Sequence, residues 1–446
     1  MLFAALPGAA GDGRDFIAEA VARGAAAVLA PEGTAWPPGV PLRPLITHRE
    51  PRRLLARLAA RHAGTQPGTV VAVTGTNGKT STVEFVRQLF AGAGRRAASL
   101  GTLGLVAPDR APTGGLTTPD PVSLARSLAE LAREGVGVLA MEASSHGLDQ
   151  YRLDGVRLQA AAFTNLTRDH LDYHGTTDAY RAAKLRLFAQ LLPEGAPAVA
   201  DAALDPPTLE ALADIARRRR LTLRTVGEAG TFVRVLQVRP LPSGQVVTVE
   251  CAGWRRDVEL SLPGRFQADN AVLAAALAMS AGLPDALDRL PRLEGVRGRM
   301  ERAAVLPTGA TVYVDYAHTP DALARLVAAL RPHTSGRLHL LFGAGGDRDP
   351  GKRPLMGEAA RGADRVVVTD DNPRSEDPAV IRAAVRAGCP DALEVAGREE
   401  AIAVALSDLR PGDVLAVAGK GHETGQTVGG VTLPFDDADI VRRLAG

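Results

Sequence analysis

The sequence predicts an α/β protein of three domains. The chain has 446 residues, room for about two to four domains. Apolar β-branched runs alternate with helix-spaced stretches, the pattern of a mostly parallel sheet covered on both faces. The alternation lapses across residues 219–262 and resumes after about Arg299, which separates two such series.

In chain order, Phe16 to Arg23 has helical spacing, Ala25 to Ala30 reads as a strand, and Pro51 to His62 as a helix. Pro67-Gly68 then breaks the chain, which bounds a small N-terminal α/β domain at residues 1–66. Thr69 to Thr74 is a buried-strand pattern, and Ser81 to Ala91 follows as a helix. Strand patterns recur at Gly137 to Met141 and Ala160 to Thr164, with a helix at Ser123 to Arg133. Pro240, Pro242 and Gly244 punctuate the short runs of 219–262, which read as a small antiparallel insertion, before a helix at Ala268 to Ala281. These segments form a central domain, 67–300. The runs Thr311 to Val314, Leu338 to Phe342, Arg365 to Thr369 and Val414 to Ala418 predict a C-terminal Rossmann-like α/β domain, 301–446. No repeat of fixed period occurs, and the 31 prolines are scattered, so no low-complexity linker stands out.

Composition sets limits on function. The chain is 46% hydrophobic and 23% charged, as folded soluble proteins are. A formal charge of +2 gives no bulk attraction to nucleic acid. Cys251 and Cys389 lie far apart, neither a disulfide framework nor a metal-ligand spacing, and they suit a reducing cytoplasm. The longest apolar stretch, Ala271 to Leu283, is too short for a bilayer, which takes about 20 residues. No basic stretch precedes an apolar run at the N-terminus, so no signal peptide is expected.

The most informative segment runs from Val70 to Thr80, Val-Val-Ala-Val-Thr-Gly-Thr-Asn-Gly-Lys-Thr. A strand enters a glycine-rich turn and then a helix. Glycines let backbone N–H groups approach phosphates, and the helix N-terminus adds favourable partial charge. Gly75, Thr76, Asn77 and Gly78 would cradle ATP, Lys79 would reach the β- and γ-phosphates, and the Thr80 hydroxyl would ligate Mg²⁺. A structural turn that happens to contain Gly-Lys-Thr is the plain alternative; the strand before and the helix after favour the cradle. The central domain is therefore P-loop ATPase-like. Only Thr76 and Asn77 separate the two glycines, and Val73 stands where the usual first glycine falls. The short form Thr-Gly-Thr-Asn-Gly-Lys-Thr resembles the Mur ligase family, which joins amino acids to a growing peptide using ATP.

A second cluster, Glu142-Ala-Ser-Ser-His146, ends a strand, and Thr164-Asn165 through His170 and His174 lies downstream. The resemblance implies Mg²⁺ contacts from Glu142 and His170. It also implies that Lys184, by itself an unremarked helix lysine, is carbamylated by CO₂ to N6-carboxylysine. A carbamate turns a cation into an anionic oxygen ligand, which Mg²⁺ prefers, and needs an amine of depressed pKa. The resemblance further places Asn270 at adenine, Arg299 at the nucleotide, and Asp315 near ribose and phosphates. Asp315 lies in the third domain, so ATP is expected to be held between two domains.

The third domain carries Arg348 in a Gly-Gly-Asp-Arg stretch, Asp371-Asn372-Pro373-Arg374, and Gly419-Lys-Gly-His-Glu423. Together these resemble the MurE type over nearly the whole chain, and the Asp-Asn-Pro-Arg form implies meso-diaminopimelate. The chemistry agrees: Arg374 can hold its terminal carboxylate bidentately, Glu423 its ammonium, and Arg348 a second carboxylate. Asp371, Asn372, Pro373 and Gly419 complete the implied amino-acid site. Thr117, Thr118, Ser144, Gln150 and Arg152 are implied contacts to the second substrate, UDP-MurNAc-L-Ala-D-Glu. Two positions depart from the family pattern: Gln267 replaces an Asn, and Leu116 replaces the Asn before the threonines. The opening residues resemble the middle of the family's first domain without its Asp-Ser-Arg segment, so a truncated first domain is expected.

The implied enzyme is an ATP-dependent acid–amino-acid ligase of peptidoglycan precursor synthesis, cytoplasmic, monomeric, binding neither nucleic acid nor membrane. The alternatives are the same ligase taking L-lysine or L-ornithine, another Mur or folylpolyglutamate-type ligase, and a catalytically weak nucleotide-binding protein.

Overall fold

The computed structural model describes residues 1–8, 11–110 and 116–446. At the N-terminus, β1 (Leu2–Ala4), β2 (Ala27–Pro31) and β3 (Leu45–His48) form a parallel sheet in that order. α1 (Ile17–Ala22) covers it, and Ile17, Val21, Val28 and Ala30 share its small core. α2 (Pro51–Ala63) packs on the central domain, where Gly155 lies so close that a Cβ would stand 2.5 Å from the Ala56 carbonyl.

The central elements follow as β4 (Thr69–Thr74), α3 (Lys79–Gly92), β5 (Ala97–Gly101), β6 (Gly104–Val106), α4 (Pro121–Arg133), β7 (Val138–Glu142), α5 (Ser145–Asp149), β8 (Ala160–Phe163), α6 (Leu171–His174), α7 (Thr177–Arg186), β9 (Pro197–Asp201), α8 (Pro206–Arg218) and β10 (Thr222–Gly227). Their strands run β10-β9-β8-β4-β7-β5-β6, all parallel except the β5–β6 pair. Val70 to Val73 are wholly buried, as expected where helices cover both faces. Register places Val73 opposite both Glu142 and Ala162, so the loops after β4, β7 and β8 open on one edge. Chain order reverses at β4, and in open α/β sheets ligands bind at the carboxyl ends of strands beside such a reversal.

Thr222–Gly227 corrects one expectation. It is a sixth parallel strand beside β9, whereas the antiparallel insertion begins later, with β11 (Val233–Leu241), β12 (Gly244–Cys251) and β13 (Trp254–Leu260). Along β10 most side chains are half-buried, which blurs the buried-strand signal.

After α9 (Arg265–Ser280) and α10 (Ala286–Arg289) come β14 (Glu301–Val305), β15 (Thr311–Asp315), α11 (Pro320–Leu330), β16 (Leu338–Phe342), α12 (Lys352–Ala360), β17 (Arg365–Val368), α13 (Pro378–Arg386), β18 (Leu393–Glu394), α14 (Arg398–Ser407), β19 (Val414–Ala418), β20 (Gly425–Val428), β21 (Val431–Pro434) and α15 (Asp437–Ala445). The sheet order is β14-β15-β19-β16-β17-β18, with only β14 antiparallel. Alternation along the strands feeds two cores. Tyr313, Leu340 and Phe342 pack with α11 to α13, while Val312, Val314 and Leu341 pack with α14 and α15. The three-domain α/β architecture is thus present. Two compact units divide the chain, Met1–Val226 with Leu273–Pro284, and Gly227–Val272 with Asp285–Gly446. Among the described residues no helix is long and apolar enough to cross a membrane.

Candidate active site

In the first unit the site starts where β4 ends. Gly75 has φ +143°, and a Cβ there would sit 1.9 Å from Thr164 Oγ1, so only glycine fits. Gly78, at φ +82°, is the left-handed residue that turns the chain into α3. The loop is braced from β8: the Asn165 side chain accepts from the Asn77 N–H at 3.0 Å, and the Asn165 carbonyl accepts from the Thr76 N–H at 2.8 Å. Lys79 Nζ folds back onto the carbonyls of Gly75 and Thr76 at 2.9 and 2.7 Å.

Glu142, at the end of β7, is 1% exposed. Its Oε1 accepts from Thr80 Oγ1 at 2.9 Å and from the Thr102 N–H at 2.8 Å. Gly101 leaves it room, since a Cβ there would stand 2.2 Å from Glu142 Oε1. Thr80 and Glu142 therefore meet. Among the described residues no three His, Cys, Asp or Glu side chains cluster as a metal site by themselves. Hard oxygen donors from Thr80 and Glu142 nevertheless suit Mg²⁺. His170 sits with other rings, 5.0 Å from His146 and 6.1 Å from Tyr180, and adopts a left-handed φ of +51° at the start of α6.

Lys184 is 1% exposed, and its Nζ donates to the Gly75 carbonyl at 2.7 Å. The ammonium lies 4.4 Å from the Tyr180 ring centre. Burial above all, and then the Lys79 cation, hold its pKa well below the usual lysine range. Tyr180 in turn has its hydroxyl 3.2 Å from Thr76 Oγ1, and burial pushes its pKa up to about 12. Two lysines thus converge on one phosphate-loop carbonyl.

On the same unit Thr118 links the implied sugar-peptide contacts. Its hydroxyl donates to the Glu142 carbonyl at 3.0 Å and accepts from Ser144 Oγ at 3.0 Å. Thr117 Oγ1 lies 3.2 Å from Thr102 Oγ1. Arg152 donates to the Thr118 carbonyl at 2.6 Å and to Gln150 Oε1 at 2.7 Å. Thr118, Ser144, Gln150 and Arg152 form one hydrogen-bonded patch beside Glu142, and Thr117 reaches Glu142 through Thr102.

The second unit holds the remaining residues. Asp315 ends β15 and accepts from the N–H groups of Met300 at 2.7 Å and Ala317 at 2.8 Å; burial raises its pKa, against the pull of Arg299. Arg299 lies over the Tyr316 ring at 4.7 Å, and its carbonyl accepts from Gln267 Nε2 at 3.0 Å. The unusual Gln267 is therefore wholly buried and used structurally. Asn270 is also buried, on α9. His422 is 5.0 Å from Tyr316, and burial, helped by Arg299 and Arg297, lowers its pKa to about 4.

In the same unit Asn372 Nδ2 donates to Glu423 Oε2 at 2.9 Å. Gly419, at φ +115°, approaches Asp371 so closely that a Cβ would stand 2.6 Å from its Oδ2, a buried oxygen with no hydrogen-bond partner. Arg374 has φ +55°, and its guanidinium donates to the Gly346 carbonyl beside Gly345. Pro373 closes over Gly346, where a Cβ would meet the Pro373 carbonyl at 1.9 Å. Arg348 lies in the same Gly345–Arg348 turn, with a Gly345 Cβ position 4.0 Å from its Cγ.

Sequence models of the Mur ligase middle domain and of the Mur ligase glutamate ligase domain match residues 73–278 and 298–421. The chain belongs to the Mur ligase family. It is 52% identical over 445 residues to a Chelativorans sp. (strain BNC1) protein named UDP-N-acetylmuramoyl-L-alanyl-D-glutamate–2,6-diaminopimelate ligase, covering 99% of this chain and 91% of the relative. A Rhizobium meliloti (strain 1021) protein of the same name is 53% identical, covering 100% and 91%. A solved structure of a ligase so named matches with TM-score 0.74 at 33% identity, covering 100% of this chain and 92% of that one. Like other Mur ligases, this protein is an ATP-dependent ligase, and the phosphate loop lies within the matched middle domain.

Some residues of this Mur ligase site were not read from sequence. Thr102 gives no local signal; it matters through its contact with Glu142. Tyr180 lies one turn before Lys184 on α7 but draws no notice as one aromatic on a helix. Lys420 and the β20–β21 hairpin were passed over, although Thr-Val-Gly-Gly-Val-Thr carries the glycine pair flanked by β-branched residues that marks a tight hairpin.

Proposed function

We propose that this ligase joins meso-diaminopimelate to the D-Glu γ-carboxylate of UDP-MurNAc-L-Ala-D-Glu, within peptidoglycan precursor synthesis. Identity above half to relatives bearing that name, over 99% or more of the chain, is the observation that carries the reading.

The γ-carboxylate attacks the γ-phosphorus of ATP, and ADP leaves. Gly75 to Thr80 supply the N–H groups that hold the phosphates, and Lys79, released from the loop carbonyls, follows the charge developing on the transferred group. Mg²⁺ held by Thr80, Glu142, His170 and carbamylated Lys184 would neutralise charge between the phosphates. The Lys184 amine, whose pKa burial and the Lys79 cation hold low, suits addition to CO₂: a bond forms from Nζ to carbon as one C–O π bond opens, and one proton leaves. Asn270, Arg299 and Asp315 bind the nucleoside end, and Thr117, Thr118, Ser144, Gln150 and Arg152 the sugar-peptide. The incoming amine then attacks the acyl phosphate and expels phosphate. Arg374 and Arg348 hold carboxylates of the amino acid and Glu423 its ammonium, within a loop shaped by Asp371, Asn372, Pro373 and Gly419. The proposed domains are 1–66 for the UDP-sugar, 67–300 for ATP and 301–446 for the amino acid, in a cytoplasmic monomer.

Phosphate release by the purified chain tests this. Release requiring ATP, UDP-MurNAc-L-Ala-D-Glu and diaminopimelate together is expected; release with none of diaminopimelate, lysine or ornithine would refute it.

A further inference from the structure

Lys420 lies in the second unit, between Gly419 and Gly421, and is completely buried. Burying an ammonium is costly, and an apolar side chain of the same length would fill the space more cheaply. Its contacts explain its presence. Lys420 Nζ donates to Asn372 Oδ1 at 3.1 Å and to Glu423 Oε2 at 3.2 Å. The Thr427 N–H, from the first strand of the β20–β21 hairpin, donates to the same Asn372 Oδ1 at 3.0 Å.

These partners fix the amide. An ammonium and a backbone N–H can only donate, so the atom they share must be the amide oxygen. The amide nitrogen then faces Glu423 Oε2 at 2.9 Å, the one orientation in which a carboxylate is welcome. With Oε2 occupied by Asn372 and Lys420, the second oxygen of Glu423 is left for a ligand ammonium. The same hairpin holds the rest of the loop. Thr427 accepts from the Arg374 N–H at 3.0 Å, and the Arg374 carbonyl accepts from the Gly429 N–H at 2.7 Å, pinning an arginine at positive φ. Gln426 Nε2 donates to the Asp371 carbonyl at 2.7 Å. Val431 and Leu433 remain 60% and 57% exposed, so the hairpin is not there to fill a core.

We infer that Lys420 and the Thr427 N–H are positioning groups that lock Asn372 in one orientation and thereby set the amino-acid selectivity of the 371–374 loop. The inference rests on the function proposed above. Without Lys420 the amide oxygen keeps only the Thr427 N–H as donor and Glu423 loses its cationic partner, so both side chains are held less tightly where the ligand ammonium binds.

The test is steady-state kinetics of Lys420→Met, with ATP and UDP-MurNAc-L-Ala-D-Glu saturating, against diaminopimelate and against lysine. Losing a charge-assisted bond predicts a KM for diaminopimelate raised about tenfold. The KM values for ATP and the UDP-substrate should stay at wild type, and the preference for diaminopimelate over lysine should narrow. Lys420→Gln, which keeps a donor, should fall between, and its kinetics decide the matter if the methionine variant does not fold. An unchanged KM and preference, or a fall in kcat alone, would overturn the inference. If the wild-type chain uses none of diaminopimelate, lysine or ornithine, the functional reading fails first and this inference falls with it.

Discussion

The phosphate loop and the 371–374 loop are both built on tight turns, but different forces hold them. Around Gly75 the shape rests on the main chain: two glycines at positive φ, a helix start, and loop N–H groups held by the carbonyl and the side chain of Asn165. Around Asn372 it depends on side chains meeting from distant positions, with Lys420 and Glu423 converging on one amide beside the Thr427 N–H. Backbone cradles recognise what every phosphate shares. Side-chain networks can be altered one residue at a time, so that is where a choice between amino acids is expected to reside.

Breaking the first region should abolish turnover whatever the amino acid. Lys79→Ala is expected to lower kcat about a thousandfold or more, equally with diaminopimelate or any weaker substrate. A loss confined to one amino acid would blur the distinction between the regions. Lys184→Ala should cost about a hundredfold, since it removes a proposed metal ligand rather than a phosphate contact. Acetate should restore part of the rate by replacing the carbamate's oxygens, and the wild-type protein should show a carbamate signal in ¹³C NMR with labelled bicarbonate. Wild-type activity indifferent to bicarbonate removal would count against the carbamate.

Breaking the second region should act on KM for the amino acid. Arg374→Ala should raise it about ten- to a hundredfold, the cost of a charge-assisted pair, with the KM for ATP unchanged. The smallest expected effect is on stability. His422 titrates near 4 in the fold, below the ordinary value of about 6.5 for an exposed histidine. Between those values the unfolded chain binds more protons, so stability falls as pH drops from about 6.5 through about 4. Acid unfolding midpoints should show that His422→Phe flattens this dependence; an unchanged slope would mean that His422 is not the group responsible.

The two regions also differed in how legible they were. Thr69 to Thr80 announces itself locally: a buried strand, a glycine spacing, a lysine, a helix. Glu142 follows from its place at a strand end. Lys184 had no such signal, because its meaning lies in a contact with Gly75, distant in sequence, and only resemblance pointed to it. Asn372 and Arg374 were found by motif, whereas Lys420 stood in a motif with no role read for it and Thr427, which also holds Asn372, stood in none. Their roles depend on tertiary contacts that no period or spacing encodes. Thr222–Gly227 was misread for a related reason: its half-buried side chains look like an antiparallel edge, and only its pairing with β9 shows otherwise.

Direct competition tests the central claim most sharply. The purified chain would be given ATP, UDP-MurNAc-L-Ala-D-Glu and equal amounts of meso-diaminopimelate, lysine and ornithine, and the products weighed by mass spectrometry. The account predicts the diaminopimelate tripeptide as the main product. Lysine or ornithine product in excess would contradict it.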